Sequence, residues 1–232
     1  MKFTKSLIKG KLVKRYKRFF TDIKLNQETI VAHCPNTGSM MGLLDEGNEV
    51  FVSKNDDPKR KLKYTLEIIK VKKNLVGVNT HFANKIAFHG LSNNLVKEVK
   101  NTNNIKPEVF FDKETRFDFL VEKNNHKTFV EVKNVTLFRK DKLAEFPDAV
   151  TSRGSKHLKT LIEATKKGYK TYLLFLVQIQ GVTDFKIAKD IDKEYYENYK
   201  LAKKAGVKFL AYRCKISSKE IKIEKKIKII ND

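Results

Sequence analysis

Between residues 12 and 78 the chain alternates apolar and polar positions in short stretches. Phe19, Thr21, Ile23 and Leu25 fall at every second residue, and further runs occupy residues 29–34, 49–53, 64–71 and 75–78. Side chains two apart on a strand share a face, so this spacing predicts about five strands with no strong helix among them. Such strands suit a small antiparallel barrel, of which the oligonucleotide-binding (OB) fold is one form.

Past residue 78 the pattern changes. It predicts a helix over 82–91, strands over 105–111, 115–122 and 127–133, and a helix over 155–167. A strand over 172–178, a helix over 193–205 ended by Gly206, and a strand over 208–215 follow. Residues 172–177 are apolar throughout, as a strand covered on both faces should be. The two patterns together predict an α+β chain of two domains, a small antiparallel β-barrel over 1–80 and an α/β domain over 81–232. The lysine-rich stretch 215–228, with Ile221, Ile223 and Ile227, reads either as an edge strand or as a solvated tail.

Charge then narrows the partners. A net charge of +22 favours a polyanion, because clustered Lys and Arg displace counterions from phosphates. Lysine in excess alongside Ile and Asn also follows from an A/T-rich genome, so the seven arginines carry more information than the total. Two of them lie in Lys14-Arg15-Tyr16-Lys17-Arg18-Phe19-Phe20, which interleaves bases and aromatics as single-strand binding surfaces do. The aromatics are expected in the barrel core, and Arg15, Lys17 and Arg18 against phosphate. Lys59 and Arg60, on a loop after Pro58, are a second candidate contact. Only Cys34 and Cys214 occur, which excludes a disulfide framework or a four-cysteine zinc site and fits a reducing cytoplasm. Scattered lysines replace an apolar run at the start, so a cytoplasmic protein, neither exported nor membrane-embedded, is expected.

Candidate chemistry sits on the predicted strands. Glu131 and Lys133 share one face while Val130 and Val132 enter the opposite layer, and Arg116 and Asp118 share a face one strand earlier. A carboxylate on a mostly apolar strand is expensive to bury unless it is paired or binds a cation. A hard ion such as Mg²⁺ is one explanation and an ordinary cross-strand ion pair is another, and spacing alone leaves both open. Downstream, Ser155 is placed to cap a helix that begins with Lys156 and His157, so that Arg153, Lys156 and His157 would clamp a nucleic-acid backbone at a helix N-terminus. Gln178, ending the apolar strand, is positioned to reach the same region. The segment from His33 to Met40 fits a tight turn whose amides could face either the second domain or a phosphate.

Five strings carry a family resemblance: Arg15-Tyr16-Lys17-Arg18-Phe19, His33-Cys34-Pro35-Asn36-Thr37-Gly38, Arg116-Phe117-Asp118-Phe119, the run from Val130 to Thr136, and the run from Phe146 to Thr151. Together they resemble the SfsA family, the sugar fermentation stimulation proteins, over nearly the whole chain. The resemblance implies an N-terminal OB-like domain and a C-terminal domain similar to PD-(D/E)XK nucleases. It further implies that Asp118 and Glu131 are ligands of Mg²⁺ (or Mn²⁺), with Lys133 the catalytic lysine. Two positions depart from the family pattern: His89 stands where family members tend to carry an acid in the first helix, and Phe110 replaces a usual Lys. His89 is expected to face solvent. The expected function is a DNA-binding protein with a nuclease-type metal site, binding without sequence preference. A non-enzymatic DNA-binding regulator of sugar (maltose) metabolism genes and an RNA-binding or RNA-processing protein are the alternatives.

Overall fold

The structure, a computed structural model, describes residues 1–230. Its first half contains β1 (Ile8–Tyr16), β2 (Phe20–Leu25), β3 (Glu28–His33), β4 (Glu49–Lys54), β5 (Tyr64–Val71) and β6 (Asn74–Gly77), in the order β3-β2-β1-β4-β5-β6. Ala32 and His33 pair in parallel with Tyr64 and Thr65, which joins β3 to β5 and closes β1 to β5 into a five-stranded OB-like barrel. Leu12, Ile23, Val50, Val52, Leu66 and Ile69 are buried in its core.

The strand membership differs from the expectation in one respect. Strand β1 is a full stave from Ile8, hidden from pattern reading because Lys9, Lys11 and Lys14 are exposed and Leu12 is its one buried large side chain. Strand β6, expected as a stave, instead lies outside the closed barrel and stitches it to the second half. Val76 bridges Ile179, and the Gly77 amide donates to the Gln178 carbonyl at 2.9 Å.

The second half contains α1 (Ala83–Ser92), β7 (Asn104–Phe110), β8 (Arg116–Lys123), β9 (His126–Val135), β10 (Leu137–Lys140), β11 (Leu143–Phe146), α2 (Ser152–Lys166), β12 (Lys170–Val177), β13 (Asp184–Ile187), α3 (Lys193–Lys204), β14 (Lys208–Ile216), β15 (Ile221–Lys226) and β16 (Lys228–Ile229). Its main sheet has the order β15-β14-β12-β9-β8-β7, with β9, β12 and β14 parallel and the outer strands antiparallel. Helix α1 covers one face, packing Ile86, Ala87 and Leu91 with Val130, Val132, Leu174 and Leu176. Helices α2 and α3 cover the other, with Leu158, Leu161, Tyr195 and Tyr199 among Phe129, Val135, Leu173 and Phe175. Burial on both faces is why β12 is apolar along its length.

A small sheet, β10-β11-β13-β16, was not expected; its strands of two to four residues are too short to give a periodic signal. Of the two readings of the lysine-rich end, the edge strand is the one formed. Strand β15 pairs with β14 and buries Ile221 and Ile223 against α1, where a Cβ on Gly90 would stand 2.4 Å from Ile223 Cδ1. Among the described residues no helix is long and apolar enough to cross a membrane.

Because Ile223 fills a fully enclosed position, Ile223→Ala is expected to cost about 2–4 kcal/mol, read as a lower urea midpoint at unchanged slope. A loss below about 0.5 kcal/mol is what a solvated tail would give.

Candidate metal centre

Strand β9 runs through the middle of the main sheet, and its alternation sets the local chemistry. Val130 and Val132 enter the α1 core, while Phe129 and Val135 enter the α2 core, so Glu131 and Lys133 between them project toward α2. Strand β8 pairs with β9 from Lys123↔His126 to Phe119↔Val130 and stops. One more step would set Asp118 opposite Glu131 and a second would pair Phe117 with Val132, but the Val132 N–H donates instead to Asp118 Oδ2 at 2.7 Å. The β8–β9 ladder ends at this point, and the two carboxylates stand where it ends.

Asp118 accepts a second hydrogen bond at Oδ1, from Asn84 Nδ2 of α1 at 2.7 Å. Burial, and after it the neighbouring Glu131 carboxylate, push the Asp118 pKa up to about 6. Glu131 is 2% exposed. Its Oε1 accepts from Lys133 Nζ at 2.8 Å and contacts His157 Nδ1. Burial works to raise the Glu131 pKa, but Lys133 and His157 outweigh it and hold the carboxyl below its ordinary range. Arg153 Nε donates to His157 Nε2 at 3.4 Å, which assigns the ring proton to Nδ1 and makes that nitrogen the donor to Glu131. Lys133 Nζ lies 3.2 Å from the same Nδ1, so ammonium, imidazole and carboxylate meet at one point.

The other Glu131 oxygen, Oε2, is buried and has no hydrogen-bond partner. An orphaned carboxylate oxygen beside a second carboxylate with a raised pKa is the donor set that a hard divalent cation satisfies. Asp118 and Glu131 therefore fit such an ion. Among the described residues no group of three or more His, Cys, Asp or Glu could enclose one, so water or phosphate oxygens would complete its shell.

The remaining residues singled out by sequence fall in two places. Arg153 and Lys156 are exposed on the first turns of α2, Lys156 paired with Glu114 at 3.1 Å, and Arg116 sits two residues from Asp118. The Arg116 guanidinium lies 5.5 Å above the Phe110 ring and its Nε is 3.0 Å from Glu108 Oε2. Arg15, Lys17, Arg18, Lys59 and Arg60 belong to the barrel. Arg15 donates to the carbonyls of Arg18 and Asn36 (2.9 and 2.7 Å), and Arg18 donates to the Thr37 carbonyl at 2.7 Å, so both brace the loop after β3. That loop faces the second half, the first of its two expected orientations. Asn36 Nδ2 donates to Thr136 Oγ1 at 3.3 Å, Thr80 Oγ1 to the Pro35 carbonyl at 2.7 Å, and Gly38 packs directly on Asp148. Gln178 is buried and donates to Asn134 Oδ1 at 2.6 Å, so it touches β9 beside Lys133 without joining the cluster itself.

Two expectations need correction, and one contact was not foreseen. Helix α2 begins at Ser152, not at Lys156, because the Thr151 hydroxyl accepts from the Gly154 N–H at 3.0 Å; Ser155 is an interior, buried residue. Phe19, expected in the barrel core, is 46% exposed at the turn between β1 and β2, and Tyr16 is half-buried against Phe20. The α1 residue that touches Asp118 is Asn84, which sequence reading did not single out; His89 is exposed, as expected. Asn84 Nδ2 also lies 3.4 Å from Glu108 Oε1, which links a third carboxylate to the cluster. A polar residue in the first turn of a helix otherwise facing the core was the signal available for Asn84.

A carboxyl that titrates near 6 when folded and near 3.8 when unfolded holds its proton more tightly in the native state. Its contribution stabilises the fold in acid and is lost as pH rises through 6. Asp118→Asn removes that loss: the Val132 N–H keeps its acceptor, and a rotated Asn84 amide accepts from the new one. In metal-free buffer the variant is expected to exceed the parent in stability by on the order of 1–2 kcal/mol at pH 8, with the difference shrinking toward zero below pH 4. Thermal melts across pH check this, and a variant less stable than the parent at pH 8 would mean that the Asp118 charge is already compensated.

Residues 81–220 match the family described as the sugar fermentation stimulation protein RE domain, and residues 13–78 match the SfsA N-terminal OB domain. The chain is 84% identical over 231 residues to a sugar fermentation stimulation protein homolog of Pelagibacter ubique, covering 100% of both. A homolog from Pseudoalteromonas atlantica is 44% identical over 234 residues, with 99% of this chain and 100% of that one covered. The solved structure of Pyrococcus furiosus SfsA in complex with Ca²⁺ superposes with a TM-score of 0.87 at 24% identity, covering 100% of this chain and 98% of that one. With an OB-like barrel joined to a restriction-endonuclease-like α/β half, and relatives matching from end to end, the chain belongs to the SfsA, or sugar fermentation stimulation protein, family.

Proposed function

We propose that this protein binds DNA without sequence preference and hydrolyses phosphodiester bonds at Asp118, Glu131 and Lys133 with Mg²⁺ or Mn²⁺. The observation that carries the reading is the buried, unpartnered Glu131 Oε2 beside Asp118, at the spot where Lys133 and His157 converge. The Ca²⁺ bound by the Pyrococcus furiosus relative supports a divalent cation for this chain also.

When bound, such a cation polarises a phosphoryl oxygen and acidifies a water. The chain's own residues do the rest. Asp118 and Glu131 are the ligands, Asn84 and the Val132 N–H fix the Asp118 carboxylate, and His157 fixes the Glu131 carboxylate. Lys133 holds a positive charge at the carboxylate edge, where it offsets negative charge developing on the phosphate. Arg116, Arg153 and Lys156 rim the site and grip flanking phosphates. On the barrel, Lys17 and Arg18 lie on the β1–β2 loop and Lys59 and Arg60 on the β4–β5 loop, the two loops with which OB folds contact oligonucleotides.

Supercoiled plasmid, linear duplex, single-stranded DNA and RNA incubated with Mg²⁺ or Mn²⁺ test the proposal. The parent protein is expected to cut DNA, and Asp118→Ala and Lys133→Ala to slow cutting at least about 100-fold while leaving binding within about threefold. Binding should fall steeply with salt and ignore sequence. Binding to one preferred operator with no cleavage in either metal would point instead to the regulator, and cleavage confined to RNA to the RNA-processing reading.

A further inference from the structure

A groove of about 490 Å³ separates the N-terminal segment from strands β4 and β5 and the start of α1. Lys54, Arg60 and Lys85 line it, together with Lys2 and Lys5, and Phe3 and Phe82 form an apolar wall with their rings 6.1 Å apart, edge to face. The acids here offset little of that charge. Asp56 at the rim is shared by Lys5 (2.7 Å) and Lys54 (3.9 Å). Glu67, on the floor, has both oxygens occupied, by Ser53 Oγ at 2.6 Å and Asn79 Nδ2 at 2.8 Å, so it braces the groove.

The groove and the metal centre both border the first turn of α1. Asn84 reaches Asp118, while its neighbours Phe82 and Lys85 line the groove. A chain of phosphates and bases leaving the centre along this turn meets cations for the first and an apolar wall for the second. Duplex DNA is too stiff to enter a cleft of this size, whereas a single strand turns into it.

We propose that this groove is a binding site for single-stranded polynucleotide, which seats phosphates on Lys54, Arg60 and Lys85 and a base against Phe3 and Phe82. The inference rests on the nucleic-acid reading above and adds a substrate form to it: a strand separated, or frayed, on the barrel side of the metal centre.

Fluorescence anisotropy with labelled dT12, rU12 and a 12-base-pair duplex, in EDTA, tests it without any requirement for cleavage. Lys54→Gln/Lys85→Gln is expected to weaken dT12 about tenfold and to lower the salt slope by about 1.4, since each of the two lysines lost removes roughly 0.7 of a released counterion on a single strand. Phe82→Leu should weaken dT12 about fivefold at unchanged slope. Duplex affinity should stay within twofold in both, and the charge-matched control Lys204→Gln/Lys208→Gln should leave dT12 unaffected. Losing dT12 and rU12 equally would assign recognition to features they share, phosphates and the pyrimidine ring; losing one alone would add the 2′-hydroxyl or the thymine methyl. The proposal is overturned if both groove variants bind dT12 like the parent, if the control loses as much, or if the parent binds duplex but not dT12. Asp118→Asn separates this from the catalytic reading, because it should retain dT12 binding even if no form of the protein cuts DNA.

Discussion

Glu131 lies on the central strand of a six-stranded sheet, 2% exposed, and a carboxylate in that position has to be held charged against a strong preference for water. Lys133 from the same strand and His157 from α2, a helix capped by Thr151 and starting at Ser152, do this at Oε1. What those partners leave is Oε2, together with Asp118, whose own charge is disfavoured by Glu131. The end of the β8–β9 ladder at Phe119↔Val130 opens the room for this pair. Two carboxylates kept close disfavour each other's charge, and a bound cation would relieve that cost, a common relation between stability and function.

The barrel is joined to that centre by backbone and side-chain contacts. Strand β6 hydrogen-bonds to the end of β12, and the loop after β3, braced by Arg15 and Arg18, reaches Thr136 and Asp148 on the segments that follow Lys133. Gly38 has no room for a side chain, since a Cβ there would lie 1.9 Å from Asp148 Oδ2. The two arginines closest to this loop thus brace it through carbonyl oxygens, while Lys17, Lys59 and Lys85 stay exposed.

Most of the main sheet was readable because its strands are long and its faces are covered. Residues 172–177 announce a doubly buried strand, and the alternation Val130, Glu131, Val132, Lys133 places the carboxylate and the ammonium on one side. The small sheet escaped because strands as short as Lys228–Ile229 have no period, and β1 because its lysines mask the single buried Leu12. The site was readable only in part. Asp118, Glu131 and Lys133 stand out as charges among apolar neighbours and through the family strings. Asn84 and the role of His157 depend on which helix faces which side of the sheet, and on a ladder that stops early, neither of which is written in local spacing.

The central claim is that Asp118 and Glu131 form a divalent-cation site. Crystals soaked in millimolar Mn²⁺ and measured at the manganese edge test it most directly. An anomalous peak between the Asp118 carboxylate and Glu131 Oε2 is expected, and it should disappear in Asp118→Asn. Fully ordered carboxylates with no peak between them, or a peak unchanged in the variant, would contradict it.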